Sequence, residues 1–565
     1  MRWLDRVKGC VDYFRGWSAA KQDVAIITIV YFLSQGAILF LTGKWVDDWC
    51  PFGEEETLRE MAYMTGNGEP MIWIKRLGYA LPGNGYLFLT FFFFYMSSLS
   101  LYWILVTIDV IPRWDRVWLV LFFTVCPVND ARVTNICFPY GFCYGVFFIA
   151  FFLLTQFFSI KNIFLRWIVR VCALILFAAS FPTNSFLVFY AIPLAYIWYR
   201  DDRRGISLLW RYVDFLVIPI IFWVIKKNLW PLSGYYADYY AVGIPGLVRA
   251  GCYMFPASLC VTWEIVKVIF PPMILGGIGA WGLYELYQRF IINAPYTEDD
   301  RIKIVFNIII GFIIIGIGIF PYLVVGRSWS SIGISGIGGR DSLLVPLGAA
   351  FVFYYGVRLC PIKEKMRHVL CMVIVLMSIW EMNQRYFDYQ EWAYQQMAIG
   401  EHMRRSNEIR NGQNFLWIHI DTSPALTFNA YWPMAGIAKE VFGNEKRLFL
   451  TRRELHYSHW YSDDSASLLT AHVNNLGQYD LKNQKIDGII LYQYYRISRK
   501  SLVRIKLHEM LNKKRFQDII CSMGYMDYIP AGGFVINDKD MPTMWSEKGA
   551  ADISQRIPKP NVVPK

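Results

Sequence analysis

The chain has 565 residues, of which 55% are hydrophobic, 18% aromatic and only 18% charged, and its mean hydropathy is +0.31. A soluble globular protein is excluded by this composition, because the surplus apolar surface has to be removed from water. The net charge of +12 does not indicate nucleic-acid binding, since the basic residues fall in short clusters between apolar runs. We therefore predict a polytopic α-helical membrane protein that contacts membrane lipid and binds no nucleic acid.

Apolar runs long enough to cross about 30 Å of hydrocarbon recur along the first two thirds of the chain. They are predicted to be helices, because lipid offers no hydrogen-bond partner to an open strand edge. The third run is short, and the break after it, Pro127 to Pro139, carries Asn129, Asp130 and Arg132, so this segment either crosses or dips into the membrane. About 11 transmembrane helices are predicted, at residues 24–43, 86–108, 117–128, 140–158, 164–182, 184–199, 212–230, 268–288, 302–326, 343–358 and 367–382.

The charges between the apolar runs predict the orientation of the chain. With residues 1–23 in the cytoplasm, the inner connections are rich in Lys and Arg, whereas the first outer loop, residues 44–85, is rich in Asp and Glu. Residues 24–382 then form the membrane domain, in the inner membrane if the cell is Gram-negative. Residues 383–545 are predicted to lie outside the cytoplasm, and residues 546–565 are expected to be disordered.

The chain after the membrane domain carries more charge and shorter apolar stretches. Phe415–Ile420 and Gly488–Leu491 are predicted to be buried strands. Ser501–Asn512 is predicted to be a helix that opens on a serine cap. The alternation predicts a small α/β domain, which we expect to bind an acceptor or a partner, or to cap a site in the membrane domain.

Two adjacent carboxylates, Asp47 and Asp48, follow the first span between two tryptophans. The next two stretches, Glu54–Met64 and Met71–Leu81, have apolar residues at helical spacing, which is typical of helices that lie in the membrane interface. A carboxylate at this surface has the chemistry to accept a proton from an attacking hydroxyl, or to hold a metal against a lipid-linked phosphate. The alternative interpretation is that the acidic loop serves only topology and solubility.

Over residues 24–382 this layout resembles the GT-C class of integral membrane glycosyltransferases. Asp47 and Asp48 stand where that class has its catalytic acidic residue, and the two amphipathic stretches are similar to its interfacial loop helices. The segment Phe320–Gly326, followed by Gly339-Arg340-Asp341, also resembles a pattern in bacterial proteins with this layout. The resemblance implies a polyprenyl-phosphate sugar donor, a glycan or lipid acceptor and transfer with inversion. If a divalent cation such as Mg²⁺ or Mn²⁺ takes part, the two acidic residues are its implied ligands, while the subfamily, the sugar and the acceptor stay open.

A phosphate leaving group needs positive charge at the same membrane face, because negative charge develops on its bridging oxygen. Arginine binds phosphate through two parallel hydrogen bonds, and lysine acts as a point charge. Lys226 with Lys227, and Arg340, are the preferred candidates, since the predicted outer face is otherwise poor in cations. For each of them the alternative is contact with lipid headgroups or pairing with a loop acid. Further candidates lie in other outer connections: Arg132, Arg249 and Arg327.

Three other functions share parts of this pattern. A transporter or flippase of a lipid-linked substrate is expected to show helices broken in both halves and charge at mid-membrane depth, and neither is evident in the sequence. A glycan polymerase or ligase is expected to use an outer loop between later spans, but residues 231–256 form a loop of modest length without a dense Arg or His cluster. A non-catalytic relative of the transferases is the third alternative.

Overall fold

The computed structural model describes residues 16–45, 48, 55–81, 84–201, 205–233, 237, 242–290, 301–328, 332–419, 431–443, 447–451, 486–495 and 497–530. The chain divides into two compact units. The first consists of Met1–Phe40 and Arg59–Tyr386, and the second of Leu41–Leu58 and Phe387–Lys565. The start of the predicted cytoplasmic segment and the predicted disordered tail lie outside the described residues.

The described part of the first unit is almost entirely helical. Short 3-10 turns occupy Gly36–Phe40, Asp130–Val133, Asn135–Cys137 and Ile337–Ser342. The helices are α1 Ala19–Gln35, α2 Glu55–Met64, α3 Gly68–Ala80, α4 Gly85–Ile108, α5 Arg113–Val125, α6 Phe138–Ser159, α7 Ile163–Ser180, α8 Ser185–Phe189, α9 Ala191–Arg200, α10 Ile206–Arg211, α11 Val213–Leu229, α12 Ile244–Phe290, α13 Arg301–Val324, α14 Val345–Leu359 and α15 Glu364–Arg405. Along the chain, α2 begins in the second unit and α15 ends in it.

Several helices have the length and composition of membrane spans, as the apolar runs predicted. Within the described residues, 7 helical segments are long and apolar enough to cross a membrane: Ala19–Phe40, Gly85–Ile108, Asn135–Ser159, Ile163–Ser180, Ile244–Phe270, Arg301–Val324 and Glu364–Arg405. Helix α14 is apolar but has only 15 residues. The structure thus agrees with a polytopic helical membrane protein, while the count of about 11 spans stays a prediction.

The connections of the first unit meet in two groups that alternate along the chain. In one group, Tyr102 Oη donates to Asp23 at 3.0 Å, and Arg113 binds the same carboxylate. In the other group, the backbone N–H of Asn129 donates to Ile334 O at 3.1 Å. The first group joins connections that the charge pattern predicts to be inner, and the second joins predicted outer ones, as expected for helices that run up and down.

Helix α12 corrects the predicted outer loop at residues 231–256 and the predicted span at 268–288. The helix begins at Ile244 and continues for 47 residues, which corresponds to about 70 Å. Pro245 lies in its first turn, where proline is tolerated because the first N–H groups have no helical partner. Pro256 lies inside the helix, although a proline usually ends one. Neighbouring groups in membrane proteins satisfy the backbone that a proline frees.

The predicted break after the third run is present and buried. Helix α5 ends at Val125, Asn129 has a left-handed φ of 57°, and two 3-10 turns lead into α6. Tyr86 Oη donates to the carbonyl oxygen of Val133 at 2.9 Å. Irregular backbone at membrane depth is stable only where protein covers it, and the buried residues 126–134 meet this condition.

The two stretches of the first loop form helices close to the predicted bounds. They appear as α2, Glu55–Met64, and α3, Gly68–Ala80, with Pro70 in the first turn of α3. Helix α3 buries Met71 and Ile72 but exposes Trp73 by 64%. An exposed tryptophan on an amphipathic helix is typical of the membrane interface.

The strands of the second unit are β1 Asn414–His419, β2 Leu448–Thr451, β3 Gly488–Tyr494 and β4 Gly524–Pro530, and its helices are α16 Asn407–Asn411, α17 Tyr431–Phe442, α18 Arg499–Leu511 and α19 Lys513–Cys521. The strands form a small four-stranded sheet with the order β2-β1-β3-β4. Strands β1, β2 and β3 are parallel, and β4 pairs antiparallel with β3. Both predicted strands exist, as β1 and β3, and the predicted helix exists as α18, although its N-cap is Ser498 and not Ser501.

The segment that follows the first span packs on the second-unit part of α15. Trp45 is fully buried, and its Nε1 atom donates to the carbonyl oxygen of Tyr389 at 2.9 Å. Gly43 adopts a φ of +135°, and a Cβ there would lie 2.5 Å from the Cβ of Ala393. Only glycine therefore fits at this crossing of segment and helix.

Candidate functional site

Three of the predicted phosphate-binding arginines lie near one another in the first unit, and two of them flank the carboxylate of Asp341. Arg327 Nε lies 3.8 Å from Asp341 Oδ2, and Arg340 Nε lies 3.8 Å from Asp341 Oδ1. Arg249 reaches the same place from α12, because a Cβ at Gly326 would lie only 3.1 Å from its Nη2 atom. We call Arg249, Arg327, Arg340 and Asp341 the arginine cluster. The cluster thus brings three guanidinium groups into one part of the first unit.

The backbone around the end of α13 positions two of these arginines. Gly326 adopts a φ of +95°, a conformation that glycine reaches without steric cost. The N–H of Arg327 donates to Tyr322 O at 3.0 Å and closes the turn. Tyr322 Oη donates to the carbonyl oxygen of Arg340 at 3.3 Å. These bonds tie the end of the helix to the 3-10 turn, so the two guanidinium groups approach the carboxylate from both sides.

The carboxylate is the buried side of the arginine cluster. The side chain of Asp341 is 5% exposed, whereas those of Arg327 and Arg340 are 34% and 26% exposed. Burial raises the pKa of Asp341, and Arg340 and Arg327 oppose the rise. The cluster therefore has a desolvated anchor and an accessible cationic side, which is the arrangement that an anionic ligand requires.

The predicted lysine pair is split by helix geometry, because consecutive residues of a helix point about 100° apart. Lys226 is buried, and its Nζ donates to Asn67 Oδ1 at 2.7 Å and to Asn184 Oδ1 at 2.6 Å. Lys227 is exposed, and its Nζ lies 5.3 Å from the ring centre of Trp223. The two lysines do not share one site. Lys226 instead ties the turn between α2 and α3 to α11.

The surroundings of Lys226 adjoin the arginine cluster. Asn184, which binds Lys226, is followed by Ser185, whose side chain lies close to that of Tyr322. Tyr322 in turn contacts Arg340. Positive charge is thus concentrated in neighbouring connections of the first unit, all of which belong to the predicted outer group.

Arg132 has a different environment from the other predicted cations. Its Nε donates to Asn129 O at 2.7 Å, its Nη2 to Val128 O at 2.6 Å and its Nη1 to Gln35 Oε1 at 3.3 Å. The guanidinium also lies 4.3 Å from the ring centre of Phe94. These bonds satisfy carbonyl groups that the break between α5 and α6 leaves without helical partners. The geometry favours a structural role for Arg132 over phosphate binding.

The same break holds a buried carboxylate that the sequence interpretation did not single out as functional. Asp130 is 4% exposed, and its Oδ2 lies 3.9 Å from Arg385 Nη1. Its Oδ1 has no hydrogen-bond partner among the described residues, and a Cβ at Gly339 would lie 3.0 Å from it. Burial raises the pKa of Asp130 to about 6, with Arg385 opposing the rise. Because Gly339 precedes Arg340, this carboxylate adjoins the arginine cluster. The sequence signal for Asp130 is an acidic residue in a short break between two apolar runs.

Of the two carboxylates of the first loop, the structure describes only Asp48. Asp47 lies outside the described residues. Asp48 is 6% exposed, and its Oδ2 accepts a hydrogen bond from the N–H of Trp45 at 3.2 Å. Its own N–H donates to Trp45 O at 2.9 Å, so it belongs to a tight turn. Asp48 is part of the second unit and the arginine cluster is part of the first, so joint action of the two stays a prediction.

The binding of a divalent cation also stays a prediction. Within the described residues, no group of three or more His, Cys, Asp and Glu side chains has the arrangement of a metal site. The residues that the resemblance implies as metal ligands are Asp47, which lies outside the described residues, and Asp48.

No protein-family model matches this chain, and no curated protein matches it. The resemblance to the GT-C class therefore rests on the layout and residues given above.

Proposed function

We propose that the protein is a membrane transferase that moves a sugar from a polyprenyl-phosphate donor to a glycan or lipid acceptor of the cell envelope. The arginine cluster carries the proposal. Its three guanidinium groups offer paired donors in the planar geometry that phosphate oxygens match. The buried Asp341 orients Arg327 and Arg340, and Arg249 adds a third cation beside Gly326.

Access to the arginine cluster supports a lipid-linked ligand. Arg249 is exposed, and its neighbours on α12, Ile244 and Val248, are 77% and 61% exposed. Exposed apolar residues on a membrane helix contact lipid. An isoprenoid chain is confined to the lipid, so its phosphate arrives at the membrane surface beside a helix of this kind.

The proposed reaction is a displacement at the anomeric carbon. An acceptor hydroxyl oxygen forms a bond to that carbon while the bond from carbon to phosphate oxygen breaks. The bonding electron pair leaves with the polyprenyl phosphate, whose added negative charge the arginine cluster stabilises. The hydroxyl proton passes to the carboxylate of Asp47 or Asp48, which acts as general base. Attack opposite the leaving group inverts the anomeric configuration.

The test is sugar transfer from a panel of labelled polyprenyl-phosphate sugars in membranes that contain the protein. Wild type is expected to consume one donor. Asp47→Asn or Asp48→Asn is expected to lower turnover by about a hundredfold to ten-thousandfold, the usual contribution of a general base. Asp518→Asn, at an exposed position of α19, is the matched control. Full activity in both loop variants would exclude the carboxylate mechanism.

The alternatives are a transporter or flippase of a lipid-linked substrate and a non-catalytic relative of the transferases. The buried Asp130 beside Arg385 favours the transporter among these, because buried ionisable groups often mark substrate or proton paths in membrane proteins. A donor that crosses vesicle membranes without being consumed indicates a transporter. A donor that is bound but neither moved nor consumed indicates the non-catalytic relative.

A further inference from the structure

Helix α18 exposes an apolar stripe on the side that faces away from the core of the second unit. Its buried side is formed by Leu502 and Ile505, which are 1% and 5% exposed. Residues that recur every three or four positions share one face of a helix. The apolar stripe consists of four such side chains, between 49% and 82% exposed: Val503, Leu507, Met510 and Leu511.

Exposed cations flank the apolar stripe and continue into the first turn of α19. Among the described residues, none of these cations takes part in an ion pair. Exposed apolar side chains beside unpaired Lys and Arg form the pattern of a helix that lies on an anionic membrane surface. The cations are Lys500, Arg504, Lys513, Lys514 and Arg515.

Contacts within the second unit place α18 close to the point where the chain leaves the membrane. Lys506 Nζ lies 3.4 Å from Thr42 Oγ1. Thr42 follows the candidate span Ala19–Phe40 by two residues, so it lies at the membrane surface. Lys506 and Met510 are four residues apart on the helix, so Met510 of the apolar stripe lies next to this contact.

A second contact fixes the start of the helix. Arg499, at the start of α18, binds the carboxylate of Asp388. Asp388 lies on α15, a few residues beyond the predicted end of the last span at residue 382. The start and the middle of α18 are therefore tied to chain segments next to the predicted membrane spans.

We infer that α18 and the first turn of α19 dock on the anionic phospholipid headgroups of the bilayer that the chain crosses. The apolar stripe enters the headgroup region, and the flanking cations contact the lipid phosphates. Docking holds the second unit at a fixed depth against the membrane. This inference does not depend on transferase activity.

The test measures the depth of the apolar stripe in the full-length protein. A fluorescent amino acid replaces Leu511 at its exposed position, and the protein is placed in nanodiscs that contain a lipid with a nitroxide near its headgroup. The discs contain either phosphatidylcholine alone or equal parts of phosphatidylcholine and phosphatidylglycerol. The same fluorescent residue at Asn407, an exposed position of α16, is the control.

We expect the nitroxide to quench the probe at residue 511 but not at 407, and more strongly in the anionic discs. The double variant Lys513→Glu/Lys514→Glu is expected to reduce this quenching, because each cation lost near an anionic surface lowers the ratio of docked to undocked states roughly fivefold. Both lysines are exposed, and an unchanged melting temperature in detergent verifies that the variant folds.

Three results would overturn the inference. Quenching at residue 511 as weak as at 407 would show that the apolar stripe does not reach the lipid. Quenching that is the same in both discs and in the charge variant would show that anionic headgroups are not the partner. Loss of quenching together with dimer formation would assign the surface to a second copy of the chain.

Discussion

Replacing Asp130 by asparagine tests whether a buried charge in the break between α5 and α6 is kept at a cost to stability. Asp130 is 4% exposed, and one of its oxygens has no hydrogen-bond partner among the described residues. Asparagine has nearly the same shape and no charge. Arg385 keeps its hydrogen bond to Ile334 O at 3.1 Å and its ion pair with Glu381 in the variant. The substitution therefore mainly removes the desolvation of the carboxylate.

The size of the effect follows from the pKa. Burial raises the pKa of Asp130 from 3.8 to about 6. A tenfold change in an ionisation constant corresponds to about 1.4 kcal/mol, so an ionised Asp130 costs about 3 kcal/mol at neutral pH. Asp130→Asn is expected to raise the free energy of unfolding by up to that amount. The melting temperature of the protein in nanodiscs reports the gain, with Asp518→Asn at an exposed position as control.

The pH dependence gives the sign of the effect. Because the folded-state pKa is raised, the neutral carboxyl contributes stability that is fully present below about 3.8 and is lost as the pH rises through about 6. The variant stays neutral at every pH. Its advantage in melting temperature over wild type should be absent near pH 4 and complete above about pH 6. An equal or lower melting temperature of Asp130→Asn at neutral pH would refute the reasoning, and would show that the pairing with Arg385 outweighs desolvation.

Further predictions concern Lys226 and Gly326. Lys226→Met should lower the free energy of unfolding by about 2 kcal/mol, because the side-chain oxygens of Asn67 and Asn184 lose a charged donor. Lys227→Met at the exposed neighbour should leave the free energy of unfolding unchanged, and thermal melts of both variants check this. Gly326→Ala forces a side chain into a φ of +95° and against Arg249. It should cost about 1–3 kcal/mol and weaken binding of polyprenyl phosphate, as measured by titration; unchanged affinity would contradict the assigned position of Arg249.

Local patterns in the sequence predicted much of the fold. The apolar runs, the two helices of the first loop and the break after the third run recur in the structure, because each depends on neighbouring residues and on the membrane as solvent. Helix α12 was the main error. Residues 231–256 were predicted to be an outer loop, but the helix begins at Ile244, with Pro245 in its first turn and Pro256 within it.

The candidate site could be predicted only in part. Positive charge in the outer connections pointed to Arg249, Arg327 and Arg340, but their convergence depends on contacts between distant helices and could not be read from the sequence. For the same reason, the sequence does not show that Arg132 donates hydrogen bonds to backbone carbonyl groups or that Asp130 is buried. Both depend on how the helices pack. The sequence shows the chemical type of each residue, but it does not show which side chains surround that residue in the fold.

The most direct test of the central claim is the affinity of the protein in nanodiscs for polyprenyl phosphate. The triple variant Arg249→Gln/Arg327→Gln/Arg340→Gln is compared with wild type and with Arg404→Gln/Arg405→Gln, which changes two exposed arginines of the second unit. We expect wild type and the control to bind alike, and the triple variant to lose at least about tenfold for each phosphate contact it lacks. Equal affinity in all three proteins would contradict the assignment of the arginine cluster as a phosphate site.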